Sequence, residues 1–276
     1  MRAPLQGLTG GLFPSRYLSD RLLVDAGIGD DRARDRARWQ LRRWWRVVSA
    51  RCGPASGPRA LFDIAAMPLT AALGFRASAP IFGTRTAHAR LEPRDMPHAP
   101  RNVEAPLSIG LLVAPWAHQS PVIWREAVSV GRTHDAAWCL IVAPPYVQIV
   151  DTFAWTRRTL DAHFPEVLDD RESFARWWLL ARAASFASHA PGAPSRIAEL
   201  VRHGDAFQDA VRADLQRGVR DSLTALDRVL RHARAPVADA TQPESLAIVY
   251  RILFLLFAES RELVPWRHPL YGPAYS

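Results

Sequence analysis

Three acidic residues are best placed for chemistry: Glu92 and Asp95, within Leu91-Glu92-Pro93-Arg94-Asp95, and Glu104 shortly after them. Carboxylates gathered at strand ends can hold Mg²⁺ and, through it, activate water. A further carboxylate would add a ligand to such an ion, and a Lys could orient or activate the water. The next apolar stretch, Ile109-Gly110-Leu111-Leu112-Val113-Ala114-Pro115, offers neither an acid nor a Lys. All 35 basic residues are Arg, whose guanidinium stays protonated and cannot stand in for a titratable amine. Cys52 and Cys139 lie far apart without a C-x-x-C partner, and the nine His are scattered. That usage fits reduced thiols and gives no metal-ligand spacing, so no metal site is expected.

A second group of residues is equipped for binding. Residues 1–60 hold twelve Arg against five acids, whereas the remainder holds 23 against 22, so nearly all of the +8 net charge lies in the first sixty residues. Within it, Arg34, Arg38, Arg42, Arg43 and Arg46 are interleaved with Trp39, Trp44 and Trp45. Arginines in that density neutralise phosphates and imply salt-sensitive, largely sequence-independent affinity for double-stranded DNA. The competing reading is a solvated face balanced by Asp35 and other acids, with the Trp residues in the core.

These side chains must be positioned by regular elements. The segment 30–51 reads as one amphipathic helix, with Leu41, Trp44 or Trp45 and Val48 on its apolar face and Asp30 and Asp31 at its N-terminus. "CGPASGPR" (52–59) breaks it. A helix over 60–73 follows, kinked near Pro68. Strands are expected at 75–83, 84–92 and 106–115, a helix at 120–131, and strands at 136–143, 146–152 and 155–164. Helices then fill 169–187, 204–233 and 243–262. The last has Thr241 and Glu244 in capping-box spacing and is apolar almost all round. Its unbroken apolar run, Ile252–Ala258, is far shorter than the ~20 residues that a bilayer span requires. With no signal-peptide pattern at the start, a cytoplasmic protein without membrane contact is expected. The segmentation is a basic helical segment (1–58), an α+β domain (59–165) and a helical connector (166–276).

The order helix, three strands, helix, strand resembles the core of PD-(D/E)xK restriction endonucleases. In that fold the missing acid and Lys of 109–115 would be catalytic, which implies a degenerate scaffold. Ala143-Pro144-Pro145-Tyr146 resembles the N-P-P-Y motif of adenine-specific DNA methyltransferases, but Ala143 lacks the polar group that such a motif uses on a flipped adenine. A two-strand turn is the alternative.

Four stretches resemble the N-terminal region of type IIG-like restriction-modification proteins with a fused adenine-type DNA methyltransferase: "GLFPSRYLSDRL", "WREAVSVGRTHDAAWCLIVAPPYVQIVDT", "WTRRTLDAHFPEVLDDRESFARWWLLARAASF" and "VYRILFLLFAESRELVPWRHPLYGPAYS". The resemblance implies a truncated or split N-terminal portion of a phage-defence system. It would be a non-catalytic DNA-interaction scaffold whose helix 243–262 packs against an absent methyltransferase domain or subunit. S-adenosylmethionine would belong to that absent domain, and this chain would carry no cofactor. The alternative is a Mg²⁺-dependent DNA endonuclease with an atypical site drawn from Glu92, Asp95 or Glu104.

Overall fold

The computed structural model describes residues 5–27, 31–94, 109–118, 120–188, 193–233 and 241–260. Its elements in chain order are β1 (Leu8–Thr9), α1 (Ser15–Asp20), α2 (Leu22–Asp25), α3 (Asp31–Arg51) and α4 (Pro58–Ala60). A π-helical stretch (Leu61–Ala66) leads from α4 into α5 (Met67–Ala72), followed by β2 (Phe75–Ala77), β3 (Ile81–Phe82), β4 (Ala87–Pro93) and β5 (Ile109–Val113). Then come α6 (Pro121–Thr133), β6 (Trp138–Ala143), β7 (Tyr146–Asp151), β8 (Thr159–His163), α7 (Phe164–Asp169) and α8 (Arg171–Ala181). A 3₁₀ turn (Ala183–Phe186) precedes α9 (Arg196–Ala233) and α10 (Thr241–Ser260).

The fold is α+β, built on one open mixed sheet in the order β1-β8-β7-β6-β5-β4-β2, with β3 paired to β4. β2, β4 and β5 pair antiparallel, α6 crosses over, and β6 returns parallel to β5 before β7 and β8 continue antiparallel. The central strands β5 and β6 are buried on both faces, which is why they read as continuous apolar runs rather than alternating ones. Successive side chains serve opposite layers. Leu111, Val113, Leu140 and Val142 pack with α3, α5, α7 and α8, whereas Leu112, Ile141 and Val150 pack with Ile123, Ala127 and Val130 of α6. β4 is half-covered: Ala87, Ala89 and Leu91 are buried, and His88, Arg90 and Glu92 are half-buried.

Local signals explain several boundaries. Ser120 Oγ accepts from Val122 N at 3.0 Å and Pro121 follows in the first turn of α6. Gly131 admits close helix–sheet approach, because a Cβ there would lie 2.5 Å from Thr152 Cγ2. Asp170 accepts from Ser173 N at 2.9 Å and from Glu172 N at 3.3 Å. That cap opens α8 near the expected start of the helix 169–187, which ends at Ala181 because Arg182 is extended, whereas the short α7 before it is not expected from the sequence. The irregularity expected at Pro68 lies just before it, in the π-helical Leu61–Ala66, which runs directly into α5, where Pro68 has no N–H to donate back along the helix. The expected strand 155–164 is shorter, because Asp151 folds residues 152–158 into a turn.

The chain divides into two compact units, Met1–Gln208 and Asp209–Ser276. This differs from the expected boundaries at 58 and 165, because α3, the sheet and α8 share one apolar cluster. In the second unit, the remainder of α9 carries exposed one-turn ion pairs, Arg212–Asp209 and Arg217–Asp214. α10 buries Val249 and Ala258 and exposes Leu246, Tyr250, Ile252 and Phe254–Phe257. Among the described residues no helix is long and apolar enough to cross a membrane.

Candidate nucleic-acid interface

α3 owes its orientation to a single buried face. Ala37, Leu41, Trp44 and Val48 follow helical spacing and are buried, and Trp44 Nε1 donates to Ala65 O at 2.9 Å. Trp44 also meets Phe164 edge-on with centroids 5.0 Å apart, and half-buried Trp45 stacks near Trp116 at 6.2 Å. Two of the three tryptophans on this helix therefore serve packing.

The five arginines expected to contact DNA divide by position. Arg38 donates from Nε to Leu168 O at 2.9 Å and from Nη2 to Asp169 O at 2.7 Å. Arg42 donates to Leu168 O at 3.2 Å and pairs with Asp169 at 3.0 Å. Both guanidinium groups thus satisfy carbonyls at the C-terminus of α7, where positive charge is favoured. Burial, then the neighbouring guanidinium groups of Arg42 and Arg171, pull Arg38 below the usual Arg range. Arg34 lines a cleft of about 440 Å³ together with Asp35, Arg38, Arg171, Glu172 and Arg176. Arg43 and Arg46 are exposed, and Arg43 lies over the Trp39 ring at 5.0 Å.

Arg36, Trp39, Arg43 and Arg46 recur at i, i+3, i+7 and i+10, so they form one outward stripe opposite Leu41. Trp39 is 59% exposed at its centre. The sequence singled out Arg38 and Arg42 and passed over Arg36. The helical phase relative to Leu41 carried the signal, but the partner of the flanking arginines lies about 130 residues away in the chain.

Of the acidic candidates only Glu92 is among the described residues. Glu92 stands on β4 opposite Arg76 of β2 and pairs with Arg90 at 3.4 Å. Asp95 and Glu104 lie outside the described residues. Ile109 and Gly110 of β5 pair with Leu91 and Arg90, so no carboxylate faces Glu92's neighbours from that strand. Beside them His88 Nδ1 lies 3.4 Å from His134 Nε2, and Thr86 donates to Glu126. Burial, then His88 and Arg90, hold His134 below its ordinary range. Among the described residues no group of three His, Cys, Asp or Glu side chains is arranged to hold a metal ion. Ala143 ends β6 opposite Tyr146 and is buried, Pro144-Pro145 form the two-residue turn between β6 and β7, and the Tyr146 ring lies 5.0 Å from that of His163.

No protein-family model, curated protein or solved structure matches the chain. The functional reading therefore rests on the residues themselves.

One polar pair of the sheet yields a pH prediction. Gln148 and Asp161 are directly opposed on β7 and β8, and neither Gln148 Nε2 nor Asp161 Oδ1, both buried, has a hydrogen-bond partner. Burial pushes the Asp161 carboxyl up, against the opposing influence of Thr159 and Arg157. A raised folded-state pKa means that the native state favours the protonated acid. Stability is therefore lost as pH rises from the unfolded value through the folded one. Asp161→Asn is expected to stabilise the protein at pH 7 by about 1 kcal/mol, since it removes a buried charge and an unmet acceptor. Urea unfolding at pH 7 and pH 4 checks this. The gain must shrink toward acid, and a gain independent of pH would refute the assignment.

Proposed function

We propose that this chain is a DNA-contacting scaffold segment of a bacterial restriction-modification system, without catalytic activity of its own, working in the cytoplasm. The observation that carries the reading is the outward stripe Arg36, Trp39, Arg43 and Arg46 on α3, a helix fixed to the sheet by its opposite face. Three cations on one rigid helix suit the phosphates of double-stranded DNA, and they carry no sequence readout.

The topology supports the nuclease-like part of the reading. A helical stretch over 58–72 precedes the antiparallel β2, β4 and β5, then α6, then the parallel β6, which is the core order of the PD-(D/E)xK fold. The position of that fold's catalytic strand is held by buried Ile109–Val113, with no acid and no Lys. The apolar residues that α10 exposes, among them Tyr250, Phe254 and Leu256, fit a methyltransferase domain or subunit as its neighbour. S-adenosylmethionine belongs to that neighbour.

The test is the salt dependence of duplex binding. Each lost phosphate contact removes about 0.9 from the slope of log affinity against log salt. Arg36→Gln, Arg43→Gln and Arg46→Gln together are therefore expected to flatten the slope by about 2 to 3. Arg38→Gln with Arg42→Gln should instead lower thermal stability, because α7 loses its terminal donors, and leave the slope unchanged. A folded triple variant with the wild-type slope would remove the basis of the reading.

A further inference from the structure

Two imidazole rings meet where β4 passes the end of α6. His88 Nδ1 lies 3.4 Å from His134 Nε2, and the ring centroids are 5.6 Å apart. One of the facing nitrogens donates its N–H to the other, and either tautomer suits the neutral pair. Both rings hang from backbone that is held. His88 stands in the ladder opposite Leu112 of β5 and Ile81 of β3. His134 caps α6, and its own N–H reaches Val130 O at 3.1 Å. Next, Asp135 takes a left-handed φ of 49°, Asp135 N donates to Arg132 O at 3.2 Å and Ala136 N donates to Gly131 O at 2.8 Å. Those two bonds close the helix through a left-handed residue after its cap. Thr152 Oγ1 then donates to Ala136 O at 2.6 Å.

The surroundings disfavour charge on the pair. Both rings are half-buried, and Arg90, two residues along β4 on the same face as His88, adds a fixed cation. Glu92 pairs with that Arg at 3.4 Å, and Glu126 of α6 accepts from Thr86. Arg132 and Asp135, exposed on either side of His134 in the chain, are opposite in sign. β3 and β5 set only apolar Ile81 and Leu112 opposite His88. The carbonyl end of α6 favours a cation at His134. Burial, then His88 and Arg90, outweigh it, since His134 is held below its ordinary range.

We infer that His88 and His134 form an acid-sensitive latch between β4 and α6, closed while the facing nitrogens share one N–H and opened when both carry a proton. In the open state two N–H groups point at each other and two positive rings stand side by side. β4 keeps its ladder, so the movement falls on the end of α6, whose Val130 packs in one cluster with Leu112 and Cys139. The latch stands apart from the proposed function, because α6 and α3 pack in different apolar clusters.

A His held low in the folded protein gives stability that is complete above about pH 6.5 and is lost as the pH falls through its folded value. Amide exchange along 127–131 between pH 7.5 and pH 5, corrected for the intrinsic pH dependence of exchange, measures the opening. It should grow below about pH 6.5 by at most about tenfold per pH unit, the limit set by uptake of one extra proton. His88→Asn with His134→Gln puts side-chain amides, which do not titrate, in place of the facing nitrogens, and that growth should disappear. His88→Asn alone should move the ring titration of His134, followed by NMR, upward, because its coupled partner is gone. The melting temperature at pH 8 shows whether the double variant folds; if it does not, the titration in the single variant decides. Opening that grows equally with acid in wild type and double variant would overturn the inference, as would a His134 titration indifferent to the loss of His88.

Discussion

Arg176→Ala is expected to cost about 2–5 kcal/mol of unfolding free energy, since it leaves two carbonyls of α1 without donors at about 1–3 kcal/mol each. Arg176 sits on α8 with 2% of its surface exposed. Its Nε donates to Leu18 O at 2.7 Å and its Nη2 to Ser19 O at 2.9 Å, while Nη1 donates to Glu172 O at 3.0 Å and pairs with Glu172 at 3.2 Å. The planar guanidinium thus satisfies carbonyls in α1 that helix geometry leaves without intrahelical donors, and it ties α1 to α8. Alanine leaves those carbonyls buried and unmet. Lysine keeps the charge and loses the fork, so Arg176→Lys should recover part of the stability and not all of it. Urea unfolding followed by far-UV circular dichroism measures both. A loss below about 1 kcal/mol for the alanine variant would show that water or neighbouring donors replace the guanidinium.

The next residue carries a comparable effect for an apolar reason. Trp177 is fully buried, meets Phe164 at right angles with centroids 4.7 Å apart, and lies 6.1 Å from Phe174. Phe164 in turn packs edge-on against Trp44, so three rings join α3, α7 and α8. Trp177→Ala is expected to cost about 3–5 kcal/mol through lost transfer energy and the cavity left behind. Trp177→Phe should cost much less. Trp177 Nε1 is buried without a partner, and removing such a donor returns about 1–3 kcal/mol against the lost packing. A double-mutant cycle with Trp44→Leu would detect coupling through Phe164. If Trp177→Phe were as damaging as Trp177→Ala, the indole N–H would have to hold a partner after all.

These two neighbours show the difference between local pattern and tertiary circumstance. Periodicity in "RESFARWWLLARAA" announces a helix, yet nothing in it distinguishes a buried Arg176 from a solvated one. Its partners, Leu18 and Ser19, lie far away in the chain.

The sequence by itself determined the inward face of α3 and the order of elements from 58 to 151, except that the expected strand 75–83 is two short strands, β2 and β3. These follow from the side-chain periods of strand and helix, which depend only on neighbours in the chain. Leu41, Trp44 and Val48 are buried as their spacing requires. Only the tertiary structure decided which arginines of α3 face outward unengaged with α7. Arg38 and Arg42 flank the buried stripe, and their role depends on the end of α7 being brought within 3 Å by the packing of Trp44 on Phe164. Tertiary structure likewise set Glu92 opposite Arg76 of β2 and beside Arg90, since the β2–β4 pairing brings a cation to each side of it. It also turned Trp155, expected within a strand, into an exposed tip. Asp151 there captures the backbone N–H groups of Phe153 and Ala154 that a strand would have given to its neighbour.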